Sequence, residues 1–179
     1  MSKRTSPTKP LVGIVLGSDS DYPVMEEAGR ILDQFGVAHE VIVASAHRSP
    51  DRTQKYSKEA RKRGLRVLIA GAGAAAHLAG VLAAESTLPV IGVPIDSSAL
   101  QGLDALLSTT QMPGGVPVAA MASGKAGAKN AGLLAVQILA LSDPALSTRL
   151  QRFKKDQARQ VERKNKTLQA AINAKRAGA

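Results

Sequence analysis

Short apolar runs rich in Val and Ile alternate along the chain with segments whose apolar positions recur at helical spacing. The apolar runs predict strands at 11–16, 41–44, 66–70 and 90–93, with a weaker fifth strand at 117–120. The intervening patterns predict helices at about 23–35, 50–63, 77–86, 100–110 and 126–141. Because strands and helices alternate, we expect an α/β fold in which a parallel sheet is covered on both faces.

The pattern changes at Pro144, where one long amphipathic helix is predicted. Its apolar stripe lies among Lys, Arg and Gln and consists of Leu146, Leu150, Phe153, Val161, Leu168 and Ile172. Such a helix is stable only when its stripe packs against another surface, either its own domain or a neighbouring subunit. We therefore expect a flexible segment at 1–10, one domain at 11–143, and a C-terminal helix with a basic tail at 144–179 that packs on a neighbouring subunit.

The composition excludes several classes of protein. There is no cysteine, and the three histidines lack the spacing of a zinc site, so neither a disulfide nor a metal site is expected. No segment approaches the roughly 20 apolar residues that span a bilayer, and the first ten residues lack the apolar centre of a secretion signal. We expect a cytoplasmic protein without a membrane partner.

The formal net charge of +10 is unevenly distributed. Residues 149–179 carry ten Lys and Arg and two acidic residues, whereas residues 11–148 carry eleven basic and twelve acidic residues. The body is therefore nearly neutral and the ends are basic. Because the only aromatic residue of the basic segment, Phe153, belongs to its apolar stripe, a solvated helix face is favoured over a nucleic-acid partner.

A histidine and an arginine stand side by side where a strand is expected to end. His47 and Arg48 follow the apolar run at 41–44, and Pro50 suits the first turn of the next helix, with Ser49 as its cap. Ligands bind at the carboxyl ends of strands in open α/β sheets. Imidazole transfers protons near neutral pH, and guanidinium binds phosphate. A surface histidine on a turn is the simpler alternative for His47.

Three other loops have the composition of binding loops. The loop 17–21, Gly-Ser-Asp-Ser-Asp, could hold a phosphate and a ribose diol at a helix N-terminus, or could simply cap that helix. The loop 71–77, Gly-Ala-Gly-Ala-Ala-Ala-His, would let backbone amides approach a flat ligand. The segment 108–117 is rich in hydroxyls, Gly and Pro, and could be a mobile cover or only a connector. His39 is expected to be a surface residue.

These motifs, in this order, resemble the bacterial 5-(carboxyamino)imidazole ribonucleotide mutase family of purine biosynthesis. The matching stretches are Gly17 to Asp21, Ser45 to Pro50, Ala70 to Gly73, His77-Leu78 and Gln111 to Val118, within residues 11–150. The resemblance implies a flavodoxin-like three-layer sandwich with a long C-terminal helix, assembled as a homo-octamer. It also implies a carboxylate transfer from the exocyclic nitrogen of an imidazole ribonucleotide to a ring carbon, without ATP, metal or organic cofactor.

The resemblance also assigns roles. His47 would be the catalytic acid and base, Arg48 and Ser18 would hold the phosphate, and Asp21 would bind the ribose hydroxyls. Ser45 would bind the substrate as well. The loop residues Gly73, Ala74 and His77 would line the ring and exclude water from the released carbon dioxide.

The chain departs from the family pattern at three alanines. Ala74 stands where glycine is usual, Ala79 where proline is usual and Ala105 where serine is common. Two alternatives to the mutase stay open. One is an enzyme that carboxylates aminoimidazole ribonucleotide directly with carbon dioxide, and the other is a module that binds a nucleotide phosphate without catalysis.

Overall fold

The computed structural model describes residues 9–177, except the side chain of Ala177, so most of the segment expected to be flexible, residues 1–8, lies outside the described residues. The chain divides into two compact units, one ending at Leu139 and the other beginning at Ala140. The first unit contains the sheet, and the second is almost entirely one helix.

Five parallel strands form the sheet of the first unit. They are β1 (Val12–Leu16), β2 (His39–Val43), β3 (Val67–Gly73), β4 (Val90–Ile95) and β5 (Ala119–Ala120), in the spatial order β2-β1-β3-β4-β5. Ile14 aligns with Val41 on one side and with Ile69 on the other. This order is the flavodoxin-like one, and the direction of winding reverses between β1 and β3. The predicted fold class is confirmed.

Helices connect the strands, as the pattern predicted. They are α1 (Tyr22–Gln34), α2 (Pro50–Arg63), α3 (Leu78–Glu85), α4 (Leu103–Thr110) and α5 (Gly124–Ala140), and a short 3-10 helix (Asp19–Asp21) precedes α1. Pro50 starts α2 at the position where its missing N–H costs nothing, and Gly64 ends it in the left-handed conformation with φ of 102°.

The core lies on both faces of the sheet. On one face, α2 and α3 pack against β1, β3 and β4 through a cluster that includes Tyr56, Ala60, Leu68 and Leu82. On the other face, α1 approaches β3 so closely that a side chain on Gly71 would meet Met25. With few aromatic residues in the chain, aliphatic side chains of modest size form this core.

Strand lengths differ from the predicted ones by one or two residues, and β3 and β5 show the reason. β3 continues through Gly71, Ala72 and Gly73, which the sequence suggested were a loop, because these residues pair in register with Val93, Pro94 and Ile95 of β4. β5 is only two residues long, since the sheet pairs Ile91 and Gly92 with Ala119 and Ala120 alone. Both lengths depend on the neighbouring strand, which cannot be read from the local sequence pattern of a single segment.

The second unit contains α6 (Pro144–Ala177), a helix of 34 residues. The predicted long C-terminal helix is therefore confirmed. Val161 and Leu168, two members of its apolar stripe, are exposed.

Candidate functional site

A cavity of about 370 Å³ opens at the carboxyl ends of β1, β2 and β3, beside the point where the direction of winding reverses. Ligands of open α/β sheets bind at this point of the fold. Three loops contribute most of the lining, one after each of these strands. Seven of the eight residues predicted to form the site line it: Ser18, Asp21, Ser45, His47, Arg48, Gly73 and Ala74.

The loop after β1 folds back on itself through its own polar groups. The backbone N–H of Ser18 donates to Asp21 Oδ2 at 2.9 Å, and the backbone N–H of Ser20 donates to Ser18 Oγ at 3.4 Å. Together these bonds form a reciprocal capping box at the start of the 3-10 helix. Capping therefore accounts for part of the loop's composition, while the same residues also line the cavity.

Asp21 is only 5% exposed although it lines the cavity. Burial raises the pKa of its carboxyl group, because loss of water disfavours the charged form. The backbone N–H groups of Ser18 and Gly17 and the positive charge of Arg48 oppose this rise in pKa. A buried carboxyl group with these neighbours is suited to accept hydrogen bonds from ligand hydroxyls.

The loop after β2 is held by serine hydroxyls and carries both candidate chemical groups. The backbone N–H of Ser45 donates to Ser49 Oγ at 3.0 Å, and the backbone N–H of Arg48 donates to Ser45 Oγ at 3.1 Å. Ser49 precedes α2, but its side chain makes no capping bond to that helix, contrary to the expectation. Its hydroxyl is used within the loop instead, donating to the carbonyl of Ser45 at 3.2 Å.

Arg48 joins the first two loops. Its Nη2 donates to the backbone carbonyl of Gly17 at 3.2 Å, which holds the guanidinium beside the loop after β1. The side chain is exposed, so its remaining N–H groups can reach a ligand. A rigid cation beside the hydroxyls and backbone amides of the first loop is suited to bind a phosphate.

The third wall is the end of β3 and the residues after it. Gly73 is the last strand residue, and Ala74 follows with φ of 50°, in the left-handed region that L residues seldom adopt. The resemblance places glycine at this position in the family, so Ala74 has a backbone conformation that glycine usually adopts.

His77, the eighth predicted residue, contacts His47 instead of lining the cavity. His47 Nε2 and His77 Nδ1 are 2.8 Å apart, and the two rings meet edge to face at 82°. His77 lines a second cavity with Gly80, Val81, Ser108, Gln111 and Met112. Part of the segment suggested as a cover thus lies at the second cavity.

Ser97 also lines the first cavity and was not predicted. It follows β4, so the rule that identified His47 and Arg48, a polar residue just after a strand, could have found it. His39 differs from expectation as well: it is the first residue of β2, and its side chain is only 16% exposed.

Neither a metal centre nor a membrane span is found within residues 9–177. His, Asp and Glu side chains there form no group of three or more that could ligate a metal ion. No described helix combines the length and apolar character needed to cross a bilayer.

The chain is similar to known proteins over most of its length. A protein of Pyrococcus horikoshii named N5-carboxyaminoimidazole ribonucleotide mutase is 56% identical over 161 residues, which make up 90% of each chain. A protein of Bacillus subtilis with the same name is 58% identical over 142 residues, 79% of this chain and 88% of the relative.

Structural comparison and family matching agree with these similarities. The crystal structure of Treponema denticola PurE superposes with a TM-score of 0.76 at 28% identity, covering 85% of this chain and 94% of that one. Residues 11–160 match the family described as AIR carboxylase. These residues include every strand and all three loops of the cavity, and the chain belongs to the AIR carboxylase family.

Proposed function

We propose that this protein is an N5-carboxyaminoimidazole ribonucleotide mutase, which acts in de novo purine biosynthesis. The observation that carries the proposal is that one cavity brings together a proton carrier, His47, and a phosphate-binding cation, Arg48, in a chain whose relatives have that name. The substrate has matching chemistry, with an ionised phosphate at one end and a reactive imidazole at the other.

The two ends of the substrate are assigned to different loops. The phosphate binds Arg48 together with the hydroxyl and backbone N–H groups of the loop that begins at Ser18. The ribose hydroxyls donate to Asp21, whose buried carboxyl group lies in the same loop. The imidazole then lies against Ser45, His47 and the end of β3, where Gly73 and Ala74 leave room for a flat ring.

The reaction balances with one proton that leaves His47 and returns to it. As the bond between the exocyclic nitrogen and the carboxylate breaks, the His47 imidazolium gives its proton to that nitrogen and carbon dioxide is released. The ring carbon then attacks the carbon dioxide and loses its proton to the neutral imidazole. Because atoms and charges balance within the site, the transfer consumes no co-substrate, provided that the carbon dioxide stays in the cavity.

The substrates accepted by the purified protein test the mutase against direct carboxylation. We expect turnover of the carboxyamino substrate in buffer depleted of bicarbonate. We expect none with aminoimidazole ribonucleotide unless carbon dioxide is added in large excess. Turnover that requires bicarbonate would contradict the mutase and favour the direct carboxylase.

The variant His47→Asn tests catalysis against simple binding. Removing a general acid and base lowers rates by about 10²–10⁴, so kcat should fall by that factor, while inorganic phosphate should still bind at Arg48. His39→Asn removes an imidazole outside the cavity and serves as the matched control with unchanged turnover. Unchanged turnover in His47→Asn would contradict the acid and base role.

We also propose that the protein is a cytoplasmic homo-octamer. In support, α4 and the turn before it expose three leucines at helical spacing, Leu100, Leu103 and Leu107, which form an apolar face suited to a neighbouring subunit. The exposed members of the α6 stripe, Val161 and Leu168, are proposed to pack on a neighbour too. Sedimentation equilibrium should give eight times the chain mass of 18.6 kDa, and a monomer would contradict the assembly.

The cytoplasmic location follows from a phosphorylated substrate that does not cross membranes.

A further inference from the structure

Two histidines that are 30 residues apart in the chain meet at the edge of the cavity. His47 lies in the loop after β2, and His77 immediately precedes α3, so the loops after two strands that flank β1 bring them together. Their facing nitrogens, His47 Nε2 and His77 Nδ1, are 2.8 Å apart, which is the length of a hydrogen bond. One ring must donate and the other must accept.

This bond determines which nitrogen of His47 remains for chemistry. Nε2 is engaged by His77, so Nδ1 is the nitrogen left to exchange a proton with a ligand. The proposed reaction needs His47 as an imidazolium and as a neutral base. In both states Nε2 can keep its hydrogen and donate to His77, provided that His77 Nδ1 carries the lone pair. His77 is then neutral, with its own hydrogen on Nε2.

The surroundings of His77 favour an indirect role. It does not line the ligand cavity, and its ring borders the second cavity beside Val81 and Met112. Its backbone is fixed at the start of α3, where its carbonyl accepts from the N–H of Val81 at 3.0 Å. A residue whose backbone is fixed in this way can orient its neighbour without touching the ligand.

We propose that His77 is a positioning residue that acts through His47: as a permanent acceptor for Nε2–H, it holds His47 in the tautomer whose Nδ1 gives and takes the proton. The inference rests on the proposed function, because it assigns a task to the group that supports the acid and base. It requires only the proton transfer already described and no additional reactant.

Two substitutions separate this role from simple packing. His77→Leu removes the acceptor, and His77→Asn keeps a polar atom near the position of Nδ1 that can accept the same bond. We expect His77→Leu to lower kcat at least about tenfold with KM within about threefold, since phosphate and ribose contacts are untouched. His77→Asn should recover most of kcat, and His39→Asn should match the unsubstituted enzyme.

A spectroscopic measurement on the unsubstituted protein does not depend on how the variants fold. The ¹⁵N spectrum of the histidine-labelled unsubstituted protein should show neutral His47 with its hydrogen on Nε2. As an additional comparison, the spectrum of His77→Leu should show a mixture of tautomers. A neutral His47 with its hydrogen on Nδ1, or unchanged kcat in His77→Leu, would overturn the inference.

The variants also separate failure of this inference from failure of the proposed function. If His47→Asn lowers turnover while His77→Leu does not, the positioning role alone is wrong. If His47→Asn leaves turnover unchanged, the acid and base role is wrong, and the positioning role fails with it.

Discussion

Gly73 is the residue at which the structure predicts a steric cost most directly. An ideal Cβ at this position would lie 1.8 Å from Ser97 Oγ, 3.1 Å from Ser97 Cβ and 3.2 Å from the carbonyl oxygen of Ile95. All three distances are shorter than ordinary contacts between nonbonded heavy atoms, which begin at about 3.5 Å. The substitution Gly73→Ala therefore places a methyl group where β3, β4 and the cavity meet.

The contacts differ in how easily they can relax. The hydroxyl of Ser97 can rotate to another staggered position, but its Cβ and the carbonyl oxygen are fixed by the backbone. Overpacking of this kind costs about 1–3 kcal/mol. The lower entropy of alanine in the unfolded chain returns about 0.4–1 kcal/mol. We expect Gly73→Ala to lower the free energy of unfolding by about 1–2 kcal/mol.

A double-mutant cycle isolates the part of this cost that the hydroxyl contributes. Ser97→Ala alone removes an exposed hydroxyl and should change stability by less than about 0.5 kcal/mol. In that background, Gly73→Ala should cost about 0.5–1 kcal/mol less than it does alone. Urea unfolding of the four proteins at one protein concentration measures each value. A coupling energy of zero, or a Gly73→Ala variant as stable as the original chain, would refute the steric reasoning.

Four further substitutions test three separate features by urea unfolding. Ala74→Gly should stabilise the chain by about 0.5–1 kcal/mol, because relief of the positive φ of 50° gains about 1–2 kcal/mol, whereas the greater entropy of glycine in the unfolded chain takes back about 0.4–1 kcal/mol. Gln101→Gly, at the other described non-glycine residue with positive φ, should gain similarly. A loss of stability in both variants would contradict the argument. Tyr56→Phe should lower the free energy of unfolding by about 1 kcal/mol, because the Tyr56 hydroxyl donates to Glu40 Oε1 at 2.8 Å. An unchanged free energy of unfolding would mean that water replaces the bond. Burial raises the pKa of Asp21 above its ordinary value of 3.8, so the folded state binds the carboxyl proton of Asp21 more tightly than the unfolded chain does. The stability of the folded state therefore falls as the pH rises from about 3.8 through the folded pKa. The difference in stability between the original chain and Asp21→Asn should change in that direction over this range, and a constant difference would contradict the raised pKa.

The local sequence pattern predicted most of the fold, because each strand of the sheet interior is an apolar run bounded by polar turns. It did not predict strand length where the length depends on pairing with a neighbouring strand. Gly71 to Gly73 have no intrinsic preference for a strand, yet they extend β3 because β4 continues beside them. Strand length here is a property of two segments, and a single segment does not contain it.

The candidate site follows the same division. His47 and Arg48 were predictable because they are adjacent in the chain and follow a strand. The contact between His47 and His77 was not, because it depends on how two loops 30 residues apart turn toward one another. Ser97 was missed because it stands in a loop without any motif, and only its position after β4 places it at the cavity.

The contacts among the loops also indicate how the cavity is held before a ligand arrives. Arg48 bonds the carbonyl of Gly17, which joins the loops after β1 and β2, and His47 bonds His77, which joins the loop after β2 to the start of α3. The loop after β2 is thus attached on both sides, at the residue proposed to bind phosphate and at the residue proposed to carry the proton. Because these side chains are already held in place, little conformational entropy is lost when the ligand binds. The favourable contacts with the ligand can therefore orient the imidazole against His47.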